Sequence, residues 1–61
     1  MTATLIDYVD YEDGYIKNRE SVEEEVTVYD FEVVEDGLLG WGQANAVVEH
    51  NGSHYLATVS E

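Results

Sequence analysis

Residues 7–25 read DYVDYEDGYIKNRESVEEE. Carboxylates and tyrosines interleave there, and such groups could do three kinds of chemistry. They could chelate a hard cation, act in pairs as acid and base, or meet cations on another macromolecule. Chelation by a loop needs oxygen ligands at set positions. On an EF-hand template, residues 9–20 place Asp13 fifth, Gly14 sixth and Glu20 twelfth, but Val9 and Tyr11 fall where carboxylates are required. A diffuse cation atmosphere is expected rather than a metal site. Paired carboxylates working on a glycoside need a substrate cleft between them, and 61 residues leave little room for one. No serine stands in a Gly-x-Ser-x-Gly setting. His50 and His54 flank an Asn-Gly pair and should point to opposite faces, which prevents joint ligation of a metal; His54 beside Glu49 is a surface pair of little worth. The chain is therefore expected to be no enzyme and to need no cofactor or metal.

The third chemistry is left, and charge is the outlying quantity. Fourteen Asp and Glu face only Lys17 and Arg19, for a net charge of −12. That surplus exceeds the magnitude of about 2–8 suited to a small domain and opposes compaction by self-repulsion. Direct nucleic-acid binding is disfavoured on sign, because phosphate contact needs cations. Stacking of bases on Tyr8, Tyr11 and Tyr15 would meet the same repulsion from Asp7, Asp10, Glu12 and Asp13. A disordered acidic tail is disfavoured too, since 44% of residues are hydrophobic and 11% aromatic. One domain is expected, residues 1–61. With no cysteine and so short a chain, its stability should be modest. No apolar run approaches the ~20 residues of a membrane span, and the N-terminus lacks a basic signal-peptide region. The expected setting is soluble and cytoplasmic, with no membrane partner.

Strands must position these acids. Asp13-Gly14, Asp36-Gly37 and Asn51-Gly52 are Asx-Gly pairs, the strongest short-range hairpin signal, because a type I′ turn needs positive φ at both central residues. Val, Thr, Tyr and Phe fill the intervals, and no proline interrupts them. A turn at Asn51-Gly52 sets Val48 opposite Tyr55, Ala46 opposite Ala57 and Ala44 opposite Val59 on one apolar face. Glu49 then faces His54, and Val47 faces Leu56, on the other. A turn at Asp36-Gly37 sets Phe31 opposite Gly42, Tyr29 opposite Ala44 and Thr27 opposite Ala46, adding Tyr29, Phe31 and Val33 to that apolar face. A turn at Asp13-Gly14 pairs Tyr11 with Ile16, Asp10 with Lys17, Tyr8 with Arg19 and Leu5 with Val22. The expected fold is mainly β, a small antiparallel sheet or barrel of about five strands. Its expected core is Tyr29, Phe31, Val33, Ala44, Ala46, Val48, Tyr55, Ala57 and Val59, with Leu5, Ile16 and Val22. An α+β alternative keeps a three-stranded sheet and puts one or two short helices in residues 4–36. Ser21 with Glu24 has the capping-box pattern, Val22, Val26, Tyr29 and Val33 follow at helical spacing, and Thr4 could cap a helix over residues 4–13.

Residues 7–36 hold twelve of the fourteen acids. Spread evenly over about 4,000 Å² of surface, fourteen acids would be too dilute to imitate duplex DNA, which carries roughly one charge per 110 Å². Gathered on one side they approach that density. Strand spacing repeats same-face side chains every ~6.6 Å, and tyrosines between acids add rigid contact area. Three readings compete: a salt-adapted (halophilic) surface, an acidic module for a basic partner protein such as an antitoxin-like pair, and an imitation of nucleic acid. A salt-adapted surface would scatter its acids over the whole exterior.

A very short, cysteine-free, acidic, tyrosine-rich chain of this kind resembles, at the level of class, the phage-encoded inhibitors that imitate DNA. Among these are anti-CRISPR proteins and inhibitors of restriction enzymes or of uracil-DNA glycosylase. The resemblance rests on size and on the acids of residues 7–36, and no aligned motif supports it. It implies a phage or mobile-element protein that blocks the nucleic-acid-binding site of a host defence complex, most of all as an anti-CRISPR protein. Its partner would be a basic nucleic-acid-binding protein, met in the bacterial cytoplasm by a monomer or homodimer. The expected partner-binding residues are Asp7, Asp10, Glu12, Asp13, Glu23, Glu24, Glu25, Asp30, Glu32, Glu35 and Asp36, with Tyr8, Tyr11 and Trp41. Trp41, between Gly40 and Gly42 and opposite Glu32 in the expected register, would serve as an aromatic anchor.

Overall fold

The computed structural model describes residues 1–37 and 45–61, which form one five-stranded antiparallel sheet. The strands are β1 (Thr2–Glu12), β2 (Tyr15–Val28), β3 (Glu32–Asp36), β4 (Ala46–His50) and β5 (Ser53–Ser60), in the order β2-β1-β5-β4-β3. The α+β alternative is set aside: residues 4–36 form β1, β2 and β3 with short connections. Stiff β-branched side chains at Val22, Val26, Thr27, Val28, Val33 and Val34 suit a pleated surface better than a helix.

Two of the three Asx-Gly pairs are hairpin tips. Asp13 and Gly14 have φ of 48° and 86°, and Asn51 and Gly52 have 53° and 80°, the doubly positive backbone of a type I′ turn. The β4–β5 register is as expected, with Ala46 facing Ala57, Val47 facing Leu56, Val48 facing Tyr55 and Glu49 facing His54. In the β1–β2 hairpin Tyr11 faces Ile16 as expected, and then the register departs. Asp10 faces Asn18, not Lys17; Tyr8 faces Glu20, not Arg19; Leu5 faces Val26, not Val22. Lys17 is one extra residue on β2, and further along residues 22–25 stand against Ile6 alone. Bulges of this kind bend a strand and increase its twist. Three consecutive glutamates gain water by leaving the ladder there.

The Asp36-Gly37 pair is not a hairpin tip. Only Gly37 takes positive φ, 71°, while Asp36 stays in β3. The Gly37 N–H donates to the Asn45 carbonyl at 3.0 Å, so residues 37–45 make the connection. β3 and β4 pair directly: Glu32 with Glu49, Val33 with Val48, Glu35 with Val47 and Asp36 with Ala46, with Val34 extra. The expected register for this hairpin is therefore corrected, and Glu32 faces Glu49 rather than Trp41. Gly40, Trp41, Gly42 and Ala44 lie outside the described residues.

The ladder carries a parity constraint. β2 and β5 are each antiparallel to β1, and β3 and β5 are each antiparallel to β4, so the edge strands β2 and β3 run the same way. Five strands cannot close as an all-antiparallel ring, and among the described residues β2 and β3 are unpaired edges. Yet only residues 29–31 join them. In a flat sheet those edges would lie about 19 Å apart, whereas the connection reaches at most ~14 Å. The sheet must coil until the end of β2 comes within that reach of the start of β3, although the two strands do not touch along their lengths. Its principal extents of 25, 22 and 20 Å are nearly equal, as a coiled sheet requires.

Coiling gives the sheet a core on each face. On one face Ala3, Leu5, Val28, Ala46, Val48 and Ala57 are buried, with Val22, Phe31, Tyr55 and Val59 packed against them. On the other, Val9, Val47 and Leu56 are buried beneath Ile6, Tyr11 and Ile16. Most of the expected core is present in these two sets. Tyr29 and Val33 are corrections: they are 77% and 40% exposed. Tyr29 sits in the short connection between edges, where no neighbouring strand covers it. Ala3, Val9, Val28, Val47 and Leu56 are core residues the one-faced pattern did not identify.

Candidate functional site

The acids follow the strand order. β5 carries none and β4 carries only Glu49. The remainder, apart from Glu61, lie on β1, its turn, β2, the 29–31 connection and β3. Residues 20–36 alone carry eight acids and no lysine or arginine. They run as one continuous rim: the distal half of β2, the connection, then β3. β2 and β3 are joined end to end by residues 29–31 and do not touch along their lengths, so these acids form an extended rim on the sheet's edge strands.

Most are fully presented. Asp10, Glu12, Asp13, Glu20, Glu23, Glu24, Glu25, Asp30, Glu32 and Asp36 are exposed. Glu23, Glu24 and Glu25 occupy the wide bulge opposite Ile6. The molecule exposes 4191 Å² in all, about 300 Å² per acid if they were spread evenly.

Four expected site residues, Asp7, Tyr11, Glu12 and Glu35, are already engaged in polar contacts. Asp7 is only 13% exposed at its side chain, and its Oδ2 accepts from Arg19 Nη2 at 2.7 Å and Nε at 3.1 Å. Tyr11 lies over the Val9–Val47–Leu56 cluster and donates from its hydroxyl to Glu35 Oε1 at 2.9 Å. That bond ties β1 to β3 across the two intervening strands. The Glu35 carboxylate favours the protonated phenol, so the Tyr11 pKa is raised above the ordinary tyrosine value. Lys17 pairs with Glu12 at 2.9 Å. Both cationic side chains are thus spent on β1 acids, which leaves residues 20–36 with no Lys or Arg partner among the described residues. Tyr8 is 42% exposed and packs edge-on against Tyr55, with ring centroids 5.8 Å apart.

Two contributors were not named from sequence. His50 Nδ1 donates to the Asp30 carbonyl at 2.6 Å, while Nε2 accepts from Asn51 Nδ2 at 3.2 Å. This bond fixes the connection that carries Asp30 to the end of β4. Its signal in sequence is slight, a histidine beside a turn. Glu20 is the second; it belongs to the same acidic run. The site is an open surface rather than a cleft among the described residues. Comparison with protein-family models, curated proteins and solved structures finds no match to this chain.

Proposed function

We propose that this chain is a phage or mobile-element inhibitor that occupies the nucleic-acid-binding site of a host defence complex, in the manner of an anti-CRISPR protein. The observation that carries the reading is the rim of residues 20–36, eight acids with no lysine or arginine, presented along the distal half of β2, the short link and β3. Its carboxylates take the place of phosphates against the lysines and arginines of a DNA channel. Long-range attraction speeds encounter, and added salt weakens it. Exposed Tyr29 within the rim supplies flat contact area beside Asp30. The partner is a basic protein, the inhibitor acts without a cofactor, and the encounter takes place in the bacterial cytoplasm.

The test is capture from a bacterial lysate followed by competition with labelled duplex DNA. A complex that binds DNA, and that this protein releases from DNA in proportion to its concentration, supports the reading. Capture of a basic partner with no DNA-binding activity would replace it with the acidic-module reading. Failure to bind anything, with folding seen only in molar salt, would replace it with salt adaptation.

A further inference from the structure

The acidic rim has a backbone as well as a charge. Among the described residues, β2 and β3 each leave one edge of N–H and C=O groups without a strand partner. An open edge is a template for one more strand unless something guards it. β2 is the better guarded: it is interrupted at Lys17 and across residues 22–25, whereas β3 has the one extra residue Val34, and β2 carries both Lys17 and Arg19, which repel a basic segment. β3 and its approach, residues 29–36, hold Asp30, Glu32, Glu35 and Asp36 and no cation.

The two faces of β3 differ. Residues paired across a ladder share a face. Glu32 faces Glu49 and Glu35 faces Val47, so Glu32, Glu35 and Glu49 share the face of the Val47 cluster. Val33 faces Val48, on the face where Phe31 packs. Val33 is 40% exposed and Phe31 half-buried. Asp36 faces Ala46 on that same face, so an extended segment beside residues 31–35 would meet carboxylates on one face and apolar surface on the other, with Asp36 beyond the apolar stretch. A second copy of this chain fits poorly, because it would set Glu32 and Glu35 against their own like.

We infer that β3 binds an extended segment of its partner as a sixth strand, and that the segment alternates Lys or Arg with apolar residues. The cations lie along Glu32, Glu35 and Glu49, and the apolar side chains lie beside Phe31 and Val33. The inference deepens the proposed function, since it rests on a basic partner and names how that partner is held.

The probe is a blocked heptapeptide of alternating lysine and valine, added to the unaltered full-length chain. Two controls have the same composition: one with lysines and valines in separate blocks, and one N-methylated at every second residue, prepared in both phases. Binding is read by amide hydrogen exchange and by fluorescence anisotropy. The alternating peptide should slow exchange within Glu32–Asp36, the block isomer should bind at least tenfold more weakly, and one phase of N-methylation should abolish binding. Equal binding by all peptides, or protection along β2 instead, would overturn the inference. Charge-only binding of that kind would leave DNA release by the protein intact, so failure here is distinguishable from failure of the proposed function.

Discussion

Replacing Leu56 and Tyr29 with alanine, one at a time, separates the two-faced sheet from the one-faced sheet the turn pattern suggests. Leu56 is 1% exposed and lies between Asp7 on β1 and Val47 on β4, clustered with Val9 and Val47. Strands on both sides hinder collapse into the space it would leave. Leu→Ala at such sites costs about 2–5 kcal/mol, and we take about 3 here. A domain of this length has roughly 3–9 kcal/mol of stability in total, so the loss is a large part of it. Tyr29 is 77% exposed, and its replacement should stay within about 0.5 kcal/mol. In urea, with a slope of about 1 kcal/mol per molar, Leu56→Ala should lower the midpoint by about 3 M or abolish folding outright. Tyr29→Ala should leave it nearly unchanged. A large shift for Tyr29→Ala with little for Leu56→Ala would refute the described packing.

Three further outcomes are expected. Tyr11 binds its proton more tightly folded than unfolded, because of Glu35, so its contribution is whole below the unfolded tyrosine value and is lost as pH rises through the higher folded value; Tyr11→Phe should flatten the alkaline fall in urea midpoint above about pH 10. Gly52 has φ of 80° with nothing within 4 Å of an added Cβ, so Gly52→Ala should destabilise through backbone strain alone, by about 1 kcal/mol in the same titration. Reversing Glu23, Glu24 and Glu25 to lysine changes net charge by six, from −12 to −6, and should abolish release of DNA from the target complex while leaving the far-ultraviolet circular dichroism unchanged.

The hairpin closed by Asn51-Gly52 was legible pair by pair, because its type I′ turn fixes the register and no bulge follows. The β1–β2 hairpin was legible only as far as Tyr11 and Ile16. Counting outward from a turn assumes one residue against one, and Lys17 and then residues 22–25 break that assumption. At Asp36-Gly37 the dipeptide had the same composition but a different task, since Gly37 alone takes positive φ and opens a longer connection. The second core was hidden for a related reason. Val47, Leu56 and Val9 read as the outward face of a flat sheet, and only coiling and the overlying Tyr11 bury them. The grouping of acids along the chain was plain in sequence. That Asp7 and Glu35 are held by Arg19 and Tyr11 depends on contacts between strands, which composition does not encode.

The central claim is that the placement of the acids matters beyond their number. Two variants of equal net charge, −10, test it: Glu24→Gln with Glu32→Gln on the acidic rim, and Ser60→Lys with Glu61→Gln at the C-terminal end of β5, a strand without acids. Each shifts the charge of −12 by two units. Measured by competition with labelled DNA for the target complex, the rim variant should lose at least tenfold in potency, and the β5 variant no more than about twofold. Equal losses would show that total charge alone sets the activity, and the account of an acidic rim would be contradicted.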